Sequence, residues 1–129
     1  MITDLEERIK RSETHMFKTV FAGETNHYQT LFGGTALAIM DDVAFITGTR
    51  FCRLPLVTVS TDKVDFKKPI PHGSFMEAIG KVKKVGNTSI QIQVTVYVEY
   101  MYEDLREKAI EGVFTMVAVD ASQRPIKIN

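Results

Sequence analysis

The chain has 129 residues, the length of a protein with one core, so residues 1–129 are predicted to form a single domain. Lys and Arg together number 16, as do Asp and Glu, and this balance favours neither nucleic acid nor a membrane as a partner. Cys52 is the only cysteine, which excludes an internal disulfide and a multi-thiolate metal site. The N-terminus is charged where a signal peptide is apolar, and no apolar run approaches the roughly 18 residues of a membrane span. We therefore expect a cytoplasmic protein.

The first half of the chain predicts a short helix, a strand and a long buried helix. Alternating charges in the first ten or so residues favour a helix capped by Thr3 or Asp4. Met16 to Phe21 predict a strand, and Gly23 to Thr30 are polar and turn-rich. From Thr35 to about Phe51 apolar residues occur on every face, and the segment is longer than a usual strand.

The second half predicts four long strands. The first, up to Phe66, is expected to shift register near Asp62-Lys63; the second is Phe75 to Val85. Apolar and polar residues alternate from Ile90 to Glu99, whereas Ala109 to Val119 is apolar on both faces and should be covered on both. Short connections permit hairpins but not parallel crossovers, so an antiparallel sheet around one helix is predicted, in the α+β class.

Five motifs occur in the order and spacing of the hotdog-fold acyl-CoA thioesterases of the cytosolic acyl-CoA hydrolase type, and the chain resembles that family from about Val20 to Pro125. The motifs are Asn26 followed by Leu31-Phe32-Gly33-Gly34, Met40-Asp41, Phe66-Lys67-Lys68-Pro69, Val85-Gly86-Asn87-Thr88-Ser89 and Val117-Ala118-Val119-Asp120. The resemblance implies a hotdog fold of five or six strands and the hydrolysis of acyl-CoA to a free acid and coenzyme A without a metal or other cofactor. It also implies a homo-oligomer built from dimers, as a tetramer or hexamer, with active sites between subunits.

The glycine pair and Asp41 are the predicted chemical centre. A helix N-terminus offers unpaired N–H groups and a partial positive charge, so Gly33 and Gly34 are predicted to form an oxyanion hole. Asp41 is predicted to act as a general base toward water or as a nucleophile. For Asp42 we prefer a structural role, as a polar residue bonded to a loop or across a subunit contact. Gly34 and Asp41 lie about 10 Å apart along one helix, which favours a site shared by two subunits.

Asn26 and His27 precede the glycine pair, and each allows an alternative interpretation. The Asn26 amide is predicted to orient water or polarise the carbonyl, although a loop asparagine equally caps a turn. His27 lies 14 positions before Asp41, the spacing of the His and acid of hotdog β-hydroxyacyl thioester dehydratases, and dehydration is the alternative reaction. A non-catalytic acyl-CoA-binding module is the alternative from another class.

Coenzyme A is expected to be held by a turn and by cations. Backbone amides and hydroxyls of a Gly-x-Thr-Ser turn suit phosphates or pantetheine amides, and lysines suit phosphates. Thr58 and Ser60 are interpreted as sharing one strand face that lines a pantetheine tunnel, with a polar outer face as the simpler account. The predicted coenzyme A contacts are Gly86, Thr88, Ser89, Lys67, Lys68, Thr58 and Ser60.

Overall fold

The computed structural model describes residues 3–128, which contain two α-helices, one short 3-10 helix and five strands. The elements in chain order are α1 (Asp4–Ser12), β1 (Thr14–Val20), the 3-10 helix (Ala22–Glu24), α2 (Gly33–Cys52), β2 (Leu56–Phe66), β3 (Ser74–Val85), β4 (Ser89–Tyr100) and β5 (Arg106–Ala118).

The five strands form one antiparallel sheet in the order β1-β3-β4-β5-β2, and α2 packs against its inner face. The order places β1 and β2 at the two edges: the connection through α2 carries the chain from one edge to the other, and the β3-β4-β5 hairpins lie between them. The antiparallel sheet around one helix that the sequence predicts is therefore confirmed, with five strands.

Helix α2 packs close against the sheet because glycines occupy the contact between the helix and the strands. A Cβ at Gly80 of β3 would lie 2.3 Å from the Thr47 hydroxyl oxygen and 2.9 Å from a Val43 methyl group. A Cβ at Gly48 of α2 would lie 2.8 Å from a Leu56 methyl group. The side chains of α2 that face the sheet are fully buried at Met40 and Val43, so this contact forms the centre of the core.

The ends of the elements differ from the sequence predictions by a few residues. Helix α2 begins at Gly33 rather than Thr35, so both glycines belong to its first turn. The Thr3 hydroxyl accepts a hydrogen bond from the Glu6 N–H, which confirms Thr3 as the cap of α1. Strand β2 shifts register twice, between Thr58 and Ser60 and between Asp62 and Asp65; only the second shift is the one predicted.

The two faces of the sheet carry different residue types. In β4, buried residues alternate with half-buried ones, as the sequence pattern predicts. In β5, Phe114 and Met116 are buried under α2, while on the outer face Val113 is 9% exposed and Val117 half-buried. The inner face of β5 is thus fully covered, but its outer face is only partly covered within one chain.

An ion-pair network crosses the outer face near β1. His15 places Nδ1 2.8 Å from Glu77 and Nε2 2.7 Å from Glu13, so both ring nitrogens face carboxylates. Arg106 donates to Glu77 and lies 4.2 Å over the ring centre of Tyr97. Hydrogen bonds to Glu13 and Glu77 raise the pKa of His15. Burial raises the pKa of Glu77, but hydrogen bonds from His15 and Arg106 outweigh it and lower that pKa overall.

Neither helix of residues 3–128 combines the length and the hydropathy needed to cross a membrane.

Candidate active site

The N-terminus of α2 exposes unused backbone donors. Phe32 is the N-cap residue, and its side chain makes no capping hydrogen bond. The first hydrogen bond of the helix runs from the Ala36 N–H to the Phe32 carbonyl at 3.0 Å. Within residues 3–128 the N–H groups of Gly33, Gly34 and Thr35 have no hydrogen-bond acceptor. These three donors and the helix dipole form a suitable place for a developing negative charge.

A cavity of about 300 Å³ opens beside these donors, and Gly33 forms part of its wall. The Phe66 ring lies 3.7 Å from the position of a Cβ at Gly33, so it covers the first turn of the helix without excluding an alanine there. The lining residues are Thr30, Leu31, Gly33, Ala36, Phe66, Lys67, Lys68, Pro69, Ile70 and Ile110.

Asn26 uses one side of its amide to hold the loop before α2. Its Oδ1 accepts hydrogen bonds from the Tyr28 N–H at 2.9 Å, the Thr30 N–H at 3.2 Å and the Thr30 hydroxyl at 3.1 Å. The amide nitrogen has no acceptor within residues 3–128. Asn26 therefore caps the loop, which was one of its two predicted roles, and its NH₂ group stays available as a donor.

Asp41 lies two turns further along α2 and is held by strand β2. The Thr58 hydroxyl donates to Asp41 Oδ1 at 2.8 Å, and the Asp41 side chain is half-buried. Asp42 is exposed, and in the part of the chain that the structure describes it has no hydrogen bond or ion pair. The structure thus separates the two acids, because only Asp41 has a partner that fixes its carboxylate.

Thr58 and Ser60 do not share a face, and this part of the sequence interpretation is wrong. The register shift opposes Thr58 to Met116, which points into the core, and Ser60 to Thr115, which lies on the outer face. A β-bulge at this position inserts one residue and reverses the alternation of side chains. Thr58 faces α2 and Ser60 faces away from it, so no single tunnel within one chain contains both.

Lys67 and Lys68 lie at the rim of the cavity, and both already pair with carboxylates. Lys67 Nζ lies 3.3 Å from Asp65 and 3.6 Å from Glu111, and the hydrogen bond to Asp65 raises the pKa of Lys67. Lys68 Nζ lies 3.8 Å from Glu107. A phosphate at either lysine would therefore compete with acids of the same chain.

The turn from Gly86 to Ser89 is well formed but distant from the cavity. The Gly86 N–H donates to the Ser89 carbonyl at 2.8 Å, and a Cβ at Gly86 would lie 2.9 Å from the Ser89 hydroxyl oxygen, so glycine suits this close turn. Ser89 pairs with Val117, whereas Ile110 of the same strand β5 lines the cavity. Val117 lies seven positions after Ile110, or about 23 Å along the strand.

His27 makes no contact with Asp41 that would create the alternative His and acid pair. It is exposed, and its ring lies against that of Tyr28 with the ring centres 4.0 Å apart. Among residues 3–128 no group of three or more His, Cys, Asp and Glu side chains is arranged to hold a metal ion.

Sequence reasoning missed two contacts, one in this region and one on the outer face of the sheet. It interpreted Thr58 as a substrate contact, whereas in the structure the Thr58 hydroxyl donates a hydrogen bond to Asp41. Nothing in the sequence around this exposed threonine indicates that partner. It left His15 unassigned, although Glu77 lies across the β1–β3 pairing, because the pairing of distant strands is not visible in the chain.

A long central helix wrapped by an antiparallel sheet, with free amides at its first turn and an acid two turns along it, defines a hotdog-fold enzyme. A thioesterase superfamily model matches residues 28–103, and the chain belongs to that superfamily. It is 36% identical over 119 residues to the uncharacterized acyl-CoA thioester hydrolase YkhA of Bacillus subtilis, covering 92% of this chain and 69% of the relative.

Solved structures give the same fold. An acyl-CoA hydrolase from Staphylococcus aureus, solved with butyryl coenzyme A, coenzyme A and coenzyme A disulfide, is 32% identical with a TM-score of 0.87; the match covers 92% of this chain and 73% of that one. A hexameric acyl-CoA thioesterase solved without ligand is 36% identical with a TM-score of 0.89, covering 92% and 76%. The predicted hotdog fold and thioesterase family are confirmed.

Variants of the S. aureus hydrolase have also been solved, with an asparagine, an aspartate and a threonine each replaced by alanine. In that enzyme the aspartate lies 15 positions after the asparagine, and the threonine 17 positions after the aspartate. Asn26, Asp41 and Thr58 have the same two spacings in this chain.

Proposed function

We propose that this chain hydrolyses acyl-CoA thioesters to a free carboxylic acid and coenzyme A. Water supplies the hydroxyl group that joins the acyl carbon, the carbon–sulfur bond breaks, and the sulfur leaves as the thiol after taking up a proton. The observation that carries the proposal is the set Asn26, Asp41 and Thr58, which has the residue types and spacings of the three positions varied in the S. aureus hydrolase.

The free amides at the first turn of α2 suit the thioester carbonyl. When water adds to the carbonyl carbon, its oxygen becomes an oxyanion, and donors already aimed at that point stabilise the transition state. Gly33 and Gly34 leave the backbone accessible, because no side chain of their own shields the N–H groups. Removing one oxyanion-hole donor typically costs about 2.7–4 kcal/mol of barrier, so this turn matters as much as the acid.

Asp41 is the group that acts on water or on the acyl carbon. Thr58 occupies Oδ1, so Oδ2 is left to accept a proton from water as a general base or to attack the carbonyl as a nucleophile. The NH₂ group of Asn26 is a free donor and suits the orientation of water or the polarisation of the carbonyl. Both mechanisms use the same residues, and no metal or other cofactor is needed for either.

A complete site requires two copies of the chain. Gly34 and Asp41 lie about 10 Å apart along one helix, so one copy cannot place both on a single carbonyl carbon. We infer a homo-oligomer built from dimers, and a hexamer agrees with the assembly of the thioesterase that matches this chain.

Thiol release from a series of acyl-CoA chain lengths tests this function directly. The matched variants are Asp41→Asn and Asp42→Asn, which make the same chemical change at adjacent residues. We expect Asp41→Asn to lower kcat by about 100-fold or more, since that is the usual contribution of a general base, and Asp42→Asn to change it little. Equal effects of the two variants would contradict the assignment of Asp41.

The two alternatives give different products in the same assay. No thiol release at any chain length with coenzyme A still bound would identify a non-catalytic binding module. Enoyl absorbance from a hydroxyacyl thioester without thiol release would identify a dehydratase.

A further inference from the structure

The hydrogen bonds of Asn26 determine which end of its amide faces away from the loop. The N–H groups of Tyr28 and Thr30 and the Thr30 hydroxyl all lie within 3.2 Å of Oδ1. An N–H group can only donate, so the atom that receives these bonds is the amide oxygen, and the NH₂ group lies on the opposite side. Thr30 provides two of the three donors, and its carbonyl accepts the Asn26 N–H at 2.8 Å. Thr30 is thus the main partner of Asn26.

The loop that contains Asn26 and Thr30 includes a backbone conformation that is unfavourable for its residue type. Gln29 has φ = 63°, in the left-handed region that glycine adopts freely and a residue with a Cβ does not. In this conformation the Gln29 N–H donates to the Asn26 carbonyl at 3.0 Å, and the next residue returns its donors to Oδ1. A loop with such a residue needs contacts from outside to keep its shape.

Those contacts come from residues 70–73, immediately before β3. The Leu31 N–H donates to the Ile70 carbonyl at 2.7 Å, and the His72 N–H donates to the Gln29 carbonyl at 3.1 Å. The side chains add a further bond, because His72 Nε2 lies 3.0 Å from Gln29 Oε1 and an amide oxygen accepts its hydrogen. Gln29 is therefore held by both its backbone and its side chain.

We propose that Thr30 positions the Asn26 amide for the reaction, and that the hydrogen bond between His72 and Gln29 holds the loop in the shape that this requires. The proposal rests on the function proposed above, in which the NH₂ group of Asn26 donates to the substrate or to water. Thr30, Gln29 and His72 are positioning residues, since each acts through Asn26. The bond between His72 and Gln29 is exposed to water, so its effect should be smaller than that of the half-buried Thr30.

Thr30→Val tests the first part of the proposal, since it removes the hydroxyl and keeps the shape of the side chain. Loss of one uncharged hydrogen bond corresponds to about a two- to tenfold fall in rate, so we expect kcat for thiol release to fall by that factor with KM nearly unchanged. Thr30→Ser should recover most of the rate. Thr95→Val is the matched control, because Thr95 is half-buried on the outer face of β4 and its hydroxyl has no hydrogen-bond partner among residues 3–128.

Asn26→Asp separates positioning from general support of the fold. Aspartate keeps an oxygen for the three donors of the loop but has no NH₂ group, so kcat should fall about 100-fold while the melting temperature stays close to that of the wild type. In this background Thr30→Val should still lower the melting temperature, but the residual kcat should not change, because the group that Thr30 positions is gone. A residue that merely stabilises the fold would lower kcat by the same factor in both backgrounds.

His72→Leu and Gln29→Ala test the second part of the proposal. Both residues are exposed, so these variants should fold even if Thr30→Val does not. Each should lower kcat about two- to threefold, and the double variant should lower it by the same factor, because all three lose the same hydrogen bond. His72→Gln retains an N–H donor near the position of Nε2 and should recover the rate.

The outcomes distinguish this proposal from the function on which it rests. Absence of thiol release from the wild type at every acyl chain length overturns both. If the wild type releases thiol, an unchanged kcat in Thr30→Val, or a rise in KM alone, overturns the positioning role and leaves the function intact. An equal fall in kcat when Thr30→Val is added to Asn26→Asp also overturns it. An unchanged kcat in both His72→Leu and Gln29→Ala overturns the role of their hydrogen bond.

Discussion

The hydrogen bond from Thr58 to Asp41 is the contact through which strand β2 acts on the proposed reaction. Its acceptor is a carboxylate, and its length of 2.8 Å is ordinary for a hydrogen bond from a hydroxyl group to an oxygen. Such bonds contribute about 1.5–3 kcal/mol, and the exposure of Thr58 places this one near the lower limit. Loss of about 1.5 kcal/mol of transition-state positioning corresponds to about a tenfold fall in rate.

Thr58→Val removes this hydroxyl and retains the β-branched shape that suits a strand. If the hydroxyl positions the Asp41 carboxylate, we expect kcat to fall about tenfold with KM nearly unchanged, and we expect Thr58→Ser to recover most of the rate. Steady-state thiol release over a range of acyl-CoA concentrations separates the two constants.

The same measurement distinguishes positioning from substrate contact. A rise in KM with an unchanged kcat would mean that Thr58 binds the substrate, as the sequence interpretation had it, and would refute the positioning role. Wild-type kinetics in Thr58→Val, or an equal loss in Thr58→Ser, would refute it as well.

Three further predictions concern stability, pH and assembly. Gly80→Ala should destabilise the fold by about 1–3 kcal/mol, since the added Cβ meets the Thr47 hydroxyl oxygen at 2.3 Å; thermal unfolding against the control Gly23→Ala, which meets no atom within 4 Å, measures this. The raised pKa of His15 means that its stabilising effect is full below pH 6.5 and lost as pH rises through the folded-state pKa. We therefore expect the melting temperature to fall as the pH rises above about 6.5. The corresponding loss of unfolding free energy should be less than about 1 kcal/mol because His15 is partly exposed, and His15→Gln should remove this dependence. Finally, the isolated subunit should be inactive, and an active monomer in light scattering coupled to thiol release would contradict the shared site.

The fold was largely predictable because its main elements are local patterns. The alternation in β4 and the apolar residues on every face of α2 each report on one element, and short connections permit only antiparallel neighbours. The first turn of α2 was missed at its start, since Gly33 and Gly34 have poor helix propensity. The additional register shift at Thr58 has no marker in the sequence either.

The candidate site was predictable in its residue types but not in its contacts. Asp41 was identified as an acid in an apolar helix, yet its partner Thr58 comes from an edge strand 17 positions later, and only the bulge in β2 determines that Thr58 rather than Ser60 faces the helix. A side chain's direction in an edge strand depends on the pairing register, and a shift of one residue reverses it. Such contacts can therefore be predicted only when the pairing of the strands is already known.

The candidate site residues lie far apart within one chain. Gly33, Lys67 and Lys68 meet at one cavity, Asp41 lies two helical turns away, and the turn Gly86–Ser89 lies about 23 Å along β5 from the cavity. Residues that act on one thioester carbonyl must converge on it, and Gly33 and Asp41 of one chain do not. In the function proposed above, the chain supplies parts of different sites: oxyanion donors for one thioester, and an acid for another. Assembly is in this view a condition of catalysis, which is why the monomer is expected to be folded but inactive.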